Sequence, residues 1–102
     1  MRFLVVIKSK VPPPLEAAVP LIDGMLGWIE TNTKGGKMEQ AWGFAGIQGG
    51  GGILSVDSLE ELDRIMTTMP FAPFSDVEVY GLADVKQGLT AAKEAATMMM
   101  AH

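Results

Sequence analysis

Short apolar runs, punctuated by proline and glycine, set the rhythm of this chain. Phe3 to Ile7 is apolar throughout, rich in β-branched residues and bounded by Arg2 and Lys8, which predicts a strand rather than a helix. Phe3, Val5 and Ile7 point one way along it and Leu4 and Val6 the other, so both faces are expected to be covered. Val11-Pro12-Pro13-Pro14 stops the strand, because prolines supply no ladder donors. A helix is expected from Leu15 or Pro20 to about Thr33, with Leu21, Ile22, Met25, Trp28 and Ile29 as its apolar stripe and Gly35-Gly36 beyond its end. Pro20 either opens the main segment or kinks a longer one.

Lys37 to Gly46 reads as a second strand, with Met38, Gln40, Trp42 and Phe44 on one face and Glu39, Ala41, Gly43 and Ala45 on the other. Gly49 to Gly52 reads as the turn of a hairpin whose return strand is Ile53 to Val56. Asp57 or Ser58 caps a second helix: Ser58-x-x-Glu61 has capping-box spacing, and Leu59, Leu62, Ile65, Met66 and Met69 follow at helical intervals. Pro70 ends it. Asp76 to Leu82 alternates as a fourth strand, with Val77 and Val79 on one face and Asp76, Glu78 and Tyr80 on the other, and Asp84 to Met100 is helical in composition. The order is β α β β α β plus a tail, an α+β, ferredoxin-like arrangement of a four-stranded antiparallel sheet with helices on one face. Residues 1–83 are expected to form that domain and 84–102 a C-terminal helical tail. Because one helical layer covers one sheet face, the apolar second face of the first strand calls for another copy, sheet against sheet, as a homodimer enclosing a cavity.

Composition removes most alternatives. In 102 residues, 48% hydrophobic and 20% charged, there is material for one core and too much for a disordered chain. A net charge of −4 with a pI near 4.8 argues against nucleic acid and membrane surfaces as partners. The absence of cysteine removes disulfides, thiolate nucleophiles and thiolate metal sites, and the single histidine, His102, leaves no triad and no histidine-rich metal site. The apolar run before Lys8 is too short for a signal segment or a membrane span, so a cytoplasmic protein without metal or cofactor is the expectation.

Gly36-Lys37, Trp42, Ala45-Gly46, Val56, Ser58, Glu61-Leu62, the segment Met69-Pro70-Phe71-Ala72-Pro73-Phe74 and Asp76-Val77-Glu78-Val79 carry a resemblance. With these residues the sequence resembles the muconolactone isomerase family, whose pattern runs GK…W..AG, then V.S..EL, then LP..PY.D.EV.PL. The match runs without gaps from Gly36 to Ala83, about half the chain, and its specific part is the Met-Pro-x-x-Pro-aromatic-x-Asp segment. The resemblance implies a dimeric α+β barrel, a small-molecule cavity between sheet and helices or between paired sheets, assembly of dimers into ring-like homo-oligomers, and cofactor-free proton transfer on an unsaturated lactone. It also implies a C-terminal segment that reaches across a neighbour, a role that suits Val85 to Met100. The sequence departs from the family at Leu4, Val6, Gly43 and Ile47, where the pattern has polar and basic side chains. An isomerase of a carboxylated lactone needs a cation and an acid/base pair, so the departures point to a more apolar ligand.

Within that frame Glu78 and Tyr80, two apart on one strand face, are the candidate catalytic pair. A carboxylate deprived of water by an apolar cavity shuttles protons near neutral pH, and a phenol beside it can hold a developing oxyanion. Gln40, Trp42 and Phe44 on the second strand, with Leu4 and Val6 on the first, are the candidate substrate contacts. Asp23, Glu30 and Glu39 would serve as bases only if buried, and Glu60, Glu61 and Asp63 sit where a helix N-terminus favours negative charge. The glycine run lacks the Gly-Lys-Ser/Thr of a phosphate loop, and Met98 to Met100 lack the partners of a metal site. Two readings stay open: a cofactor-free isomerase, cyclase or lyase, and a non-catalytic hydrophobic-ligand-binding or assembly module of the same fold.

Overall fold

The computed structural model describes residues 1–101. Its elements are β1 (Arg2–Ser9), α1 (Leu15–Lys34), β2 (Met38–Gly43), β3 (Gly49–Ser55), α2 (Leu59–Thr67), a single 3-10 turn (Ala72–Phe74), β4 (Ser75–Leu82) and α3 (Val85–Met100). His102 lies outside the described residues. The strands form one antiparallel sheet in the order β2-β3-β1-β4, which is the βαββαβ arrangement that the pattern of apolar runs predicts. Among the described residues no helix is long and apolar enough to cross a membrane.

One face of the sheet carries the core. Val5, Met38, Leu54, Val56 and Leu62 are buried together, and Phe3, Ile7, Trp28, Ile29, Ile65 and Met66 pack against them. The odd-numbered residues of β1 therefore meet the helices, and Leu4 and Val6 project from the opposite face. α1 is one continuous helix with Pro20 inside it, so Pro20 forgoes a backbone bond near the start of a long helix and does not begin a shorter one. Trp28 Nε1 donates to the Ile65 carbonyl at 3.1 Å and to Thr68 Oγ1 at 3.2 Å, which fastens α1 to α2. Ser58 Oγ accepts from the Glu61 amide at 3.1 Å, the capping contact its spacing predicts.

The β2–β3 hairpin departs from the sequence reading in two ways. The four glycines are not its turn: Gly49–Ser55 is strand β3, and the chain reverses over residues 44–48 after β2 ends at Gly43 rather than Gly46. The glycines are there because neighbouring backbone leaves no space. A Cβ on Gly50 would lie 2.5 Å from the Trp42 carbonyl oxygen, and one on Gly52 would lie 2.9 Å from that of Gln40. The turn's own conformational demand falls on Gly46, at φ +89°. The second departure is a bulge between Met38 and Gln40. The extra residue, Glu39, flips the alternation, so Met38 enters the core while Gln40 and Trp42 face away from it.

Lys37 Nζ sits 2.6 Å from Glu61 Oε1 and 3.9 Å from Asp57 Oδ2, tying the entry of β2 to the first turn of α2. The hydrogen bond from Lys37 holds the Glu61 carboxyl below its ordinary value, and the same bond raises the Lys37 ammonium above its own. A depressed carboxyl contributes stability above its unfolded value of 4.5 and loses it as pH falls through the folded one. The raised lysine contributes below 10.5 and loses it as pH rises through its folded value. In thermal melts, Glu61→Gln is expected to lower Tm at neutral pH, with the gap to wild type closing in acid below about pH 4.5. A gap of constant size from neutral pH into acid would show that the pair does not act.

α3 stands apart. Asp84 Oδ2 caps it by accepting from the Gln87 amide at 2.8 Å, yet every residue of the helix is exposed. The molecule is 65 Å long with a radius of gyration of 17.8 Å, where a compact chain of this length has about 13 Å. Val85 and Leu89 are 69% and 67% exposed, an apolar stripe uncovered by its own chain.

Candidate active site

The register places the sequence-predicted residues in two rows across the face that the helices leave bare. Directly paired residues share a face. Leu4 lies between Ile53 and Tyr80, and Val6 between Gly51 and Glu78. On the far side of β3, Gln40 pairs with Ile53 and Trp42 with Gly51. The rows are therefore Gln40–Ile53–Leu4–Tyr80 and Trp42–Gly51–Val6–Glu78.

Tyr80 and Glu78 are in contact: the phenol Oη donates to Glu78 Oε2 at 2.6 Å. That hydrogen bond, then the carboxylate's charge and then desolvation, raises the Tyr80 pKa above its ordinary value, so the phenol keeps its proton at neutral pH and is a donor. Trp42 lies at the other end of its row, its indole so close over Gly51 that a Cβ there would be 3.0 Å from Nε1. β2 and β4 are opposite edges of the sheet, about 14 Å apart at the usual strand spacing. Within one chain, Gln40 and Trp42 thus share a face with Glu78 and Tyr80 without meeting them. Phe44 falls beyond the end of β2, half-buried in the hairpin loop, and joins neither row.

The other carboxylates have plain roles. Glu39 Oε2 accepts from Arg2 Nε at 2.7 Å, Glu30 pairs with Lys34 at 2.8 Å on an exposed helix face, and Asp23 is exposed on the same helix. Among the described residues no group of histidine, cysteine, aspartate or glutamate side chains is placed to hold a metal ion.

A second compartment lies on the other side of the sheet, between sheet and helices, one of the two places the resemblance implies for a cavity. Between α1 and the core face of the sheet lies a cavity of about 690 Å³, roofed by Ile22, Met25 and Trp28 and closed at one side by Phe71 and Phe74. It exists because the core-facing positions of the hairpin are nearly empty of side chains: Ala41 pairs with Gly52 and Gly43 with Gly50. Its glycine floor is the part that reading the glycines as a turn hides; an apolar helix stripe above a strand lacking Cβ atoms is the signal for it.

The chain matches the model of the muconolactone delta-isomerase family over residues 1–87. In structure it is similar to the crystal structure of muconolactone isomerase at 3.3 Å resolution, with 26% identity, a TM-score of 0.75, and 82% of this chain and 90% of that one covered. It is also similar to a 5-chloro-2-hydroxyhydroquinone dehydrochlorinase from Burkholderia phenoliruptrix AC1100 in complex with 2,5-dihydroxybenzoquinone. There the identity is 19% and the TM-score 0.67, over 85% of this chain and 98% of that one, a likeness of fold. None of the curated proteins matches the chain.

Proposed function

Because the chain belongs to the muconolactone delta-isomerase family, we propose that it is a cofactor-free isomerase, cyclase or lyase acting by proton transfer on a lactone-like or largely apolar small molecule. The observation that carries this reading is the Tyr80–Glu78 pair, hydrogen-bonded at 2.6 Å beside Leu4, Val6 and Ile53 at the middle of the bare sheet face. Glu78 takes a proton from carbon beside the substrate carbonyl and returns it at the far end of the shifting double bond. Tyr80 turns its phenolic proton from Glu78 to the substrate oxygen as negative charge develops there.

The same reading pairs two chains through this face, withdrawing Glu78 from water. A two-fold axis parallel to the strands and between β3 and β1 lays β2 of one copy over β4 of the other. Gln40 and Trp42 from one chain then complete the pocket around Glu78 and Tyr80 of its mate, with Leu4 and Val6 as the apolar lining and Phe44 at the rim. In this proposal the tail from 84 onward, with its uncovered stripe, packs on a neighbouring chain in a ring-like cytoplasmic homo-oligomer. A non-catalytic ligand-binding module is the second reading, supported by the large cavity beneath α1 and its uncharged lining.

The test is a turnover screen of the wild type against muconolactone, related enol lactones and polyketide-like acids, read by substrate absorbance and by deuterium uptake from heavy water. Turnover or solvent exchange with one of these classes is expected. Bound ligand with neither would leave the module. Sedimentation at micromolar concentration is expected to show a dimer or larger, and a monomer would remove the paired sheets.

A further inference from the structure

Two helices each carry an uncovered apolar stripe, and the two stripes match. On α1, Leu15, Val19, Ile22 and Leu26 are each half or more exposed, on a flank beside the face that meets the sheet. On α3, Val85, Leu89, Ala92 and Ala96 are exposed. Both rows step by four, three and four residues, the seam spacing of packed helix pairs, and both run for about 16 Å. A charged row accompanies each at seven-residue spacing: Glu16, Asp23 and Glu30 on α1, Lys86 and Lys93 on α3. Glu30 pairs with Lys34. Among the described residues the other four make no ion pair.

We propose that α3 of one copy docks antiparallel on this outer flank of α1 in a second copy. The direction follows from the charges. On both helices the charged row lies on the same hand of the apolar stripe, so two facing helices bring acids onto lysines only when one is inverted. A single register then serves every position. Leu26 lies over Val85, Ile22 over Leu89, Val19 over Ala92 and Leu15 over Ala96, the first of each pair from α1 and the second from the other copy's α3. In that register Lys93 comes within two residues of level with Glu16, about 3 Å along the axis, and Lys86 stands likewise to Asp23. Bulky α1 side chains oppose alanines at the far end, which lets the axes approach closely.

The occupant is a second copy because a chain cannot reach its own stripe. Trp28 bonds to α2, and Gly24 lies against Pro70 just beyond α2. At about 100° per residue the Leu15–Leu26 stripe is on the opposite flank of α1, about 150° or more around the helix from both. α1 packs on β2, while α3 begins two residues after β4, at the other edge of the sheet. Ala83 and Asp84 bridge at most about 11 Å, less than the width of the sheet. The family match ends at residue 87, so nearly all of α3 lies beyond it. The contact gives a surface to the tail placed above on a neighbouring chain, and it rests on that reading alone, not on chemistry at Glu78.

The test uses the absence of native cysteine. Proteins carrying Val19→Cys and Ala92→Cys, mixed at micromolar concentration in a glutathione redox buffer, are expected to form a disulfide between the two chains, read by mass spectrometry. Its yield should exceed by at least about tenfold that of Val19→Cys with Ala91→Cys, which is turned about 100° off the stripe. Leu26→Glu beside Val19→Cys, or Leu89→Glu beside Ala92→Cys, changes an exposed residue and should lower the yield at least about tenfold with an unchanged circular dichroism spectrum. Lys93→Glu should lower it about threefold, and Glu16→Lys in the opposing chain should restore it. Equal yields with Ala91→Cys, a preference of Val19→Cys for Leu89→Cys as in parallel packing, or a disulfide closing within single chains of the double variant would overturn the proposal. Sedimentation separates it from the reading it rests on. If Leu89→Glu reduces the assembly and Leu26→Glu does not, the tail packs elsewhere on a neighbour and only docking on α1 fails; if neither reduces it, both fail.

Discussion

Replacing Glu78 by glutamine is expected to reduce turnover by about 10²–10⁴-fold, the usual contribution of a positioned proton-transfer group. The amide keeps the shape of the side chain and cannot carry the proton from one carbon to the next. If substrate is held by the apolar face, the loss falls on kcat and leaves KM close to wild type. Tyr80→Phe should cost less, because it removes one donor to the developing oxyanion and spares the proton shuttle. A companion measurement reads the pair directly, since Tyr80 is the only tyrosine in the chain. Alkaline titration of phenolate absorbance should give a midpoint above the ordinary 10.0 in the wild type, because the hydrogen bond to Glu78 favours the protonated phenol. In Glu78→Gln, with the negative acceptor gone, the midpoint should fall back toward 10.0. An unchanged midpoint would mean that the 2.6 Å contact does not persist in solution. Retained turnover in Glu78→Gln would move the proton transfer to another group.

What could be read in advance follows from how far each feature depends on its neighbours in sequence. The capping contact of Ser58 spans three residues, and the two-sided character of β1 is written in five consecutive apolar positions. Both are local, and both were legible. The placement of Glu78 and Tyr80 on the face of Leu4 and Val6 follows from alternation along regular strands, so it too was accessible. Glu39 shows where alternation stops working: a bulge depends on the pairing of β2 with β3, and it sends Met38 to the core when a strict period of two keeps it beside Gln40 and Trp42. The glycine run defeated the reading for a related reason. Strands are recognised by their side chains, and a strand made of glycine has none to recognise. The proximity of carbonyl oxygens on both neighbouring strands explains it, those of Trp42 and Gln40 on β2 and of Ile7 and Val5 on β1. The bare floor of the cavity under α1 was lost with it, since an empty floor is a property of two paired strands and the helix above them.

That difference between strand and turn has a large mechanical consequence at Gly50. Gly50→Val is expected to destabilise the fold by about 3 kcal/mol or more, at the upper end of overpacking effects and enough to remove a large share of the stability typical of a small domain. The reason is the identity of the obstructing atom. The new Cβ would meet the carbonyl oxygen of Trp42 at 2.5 Å, and that oxygen belongs to backbone held in the ladder, so no rotamer change relieves the contact. β3 lies between β2 and β1, and moving it away from one neighbour strains its pairing with the other. Gly27, inside α1 with nothing within 4 Å of its potential Cβ, should behave in the opposite sense: Gly27→Ala is expected to stabilise by about 0.5–1 kcal/mol through the lower flexibility of the unfolded chain and the higher helix propensity of alanine. Urea denaturation of the two variants beside the wild type separates the cases, because a glycine in a flexible hairpin tip would tolerate a side chain with little change. A near-neutral Gly50→Val would return the run to the role of a turn and take with it the bare floor on which the cavity depends.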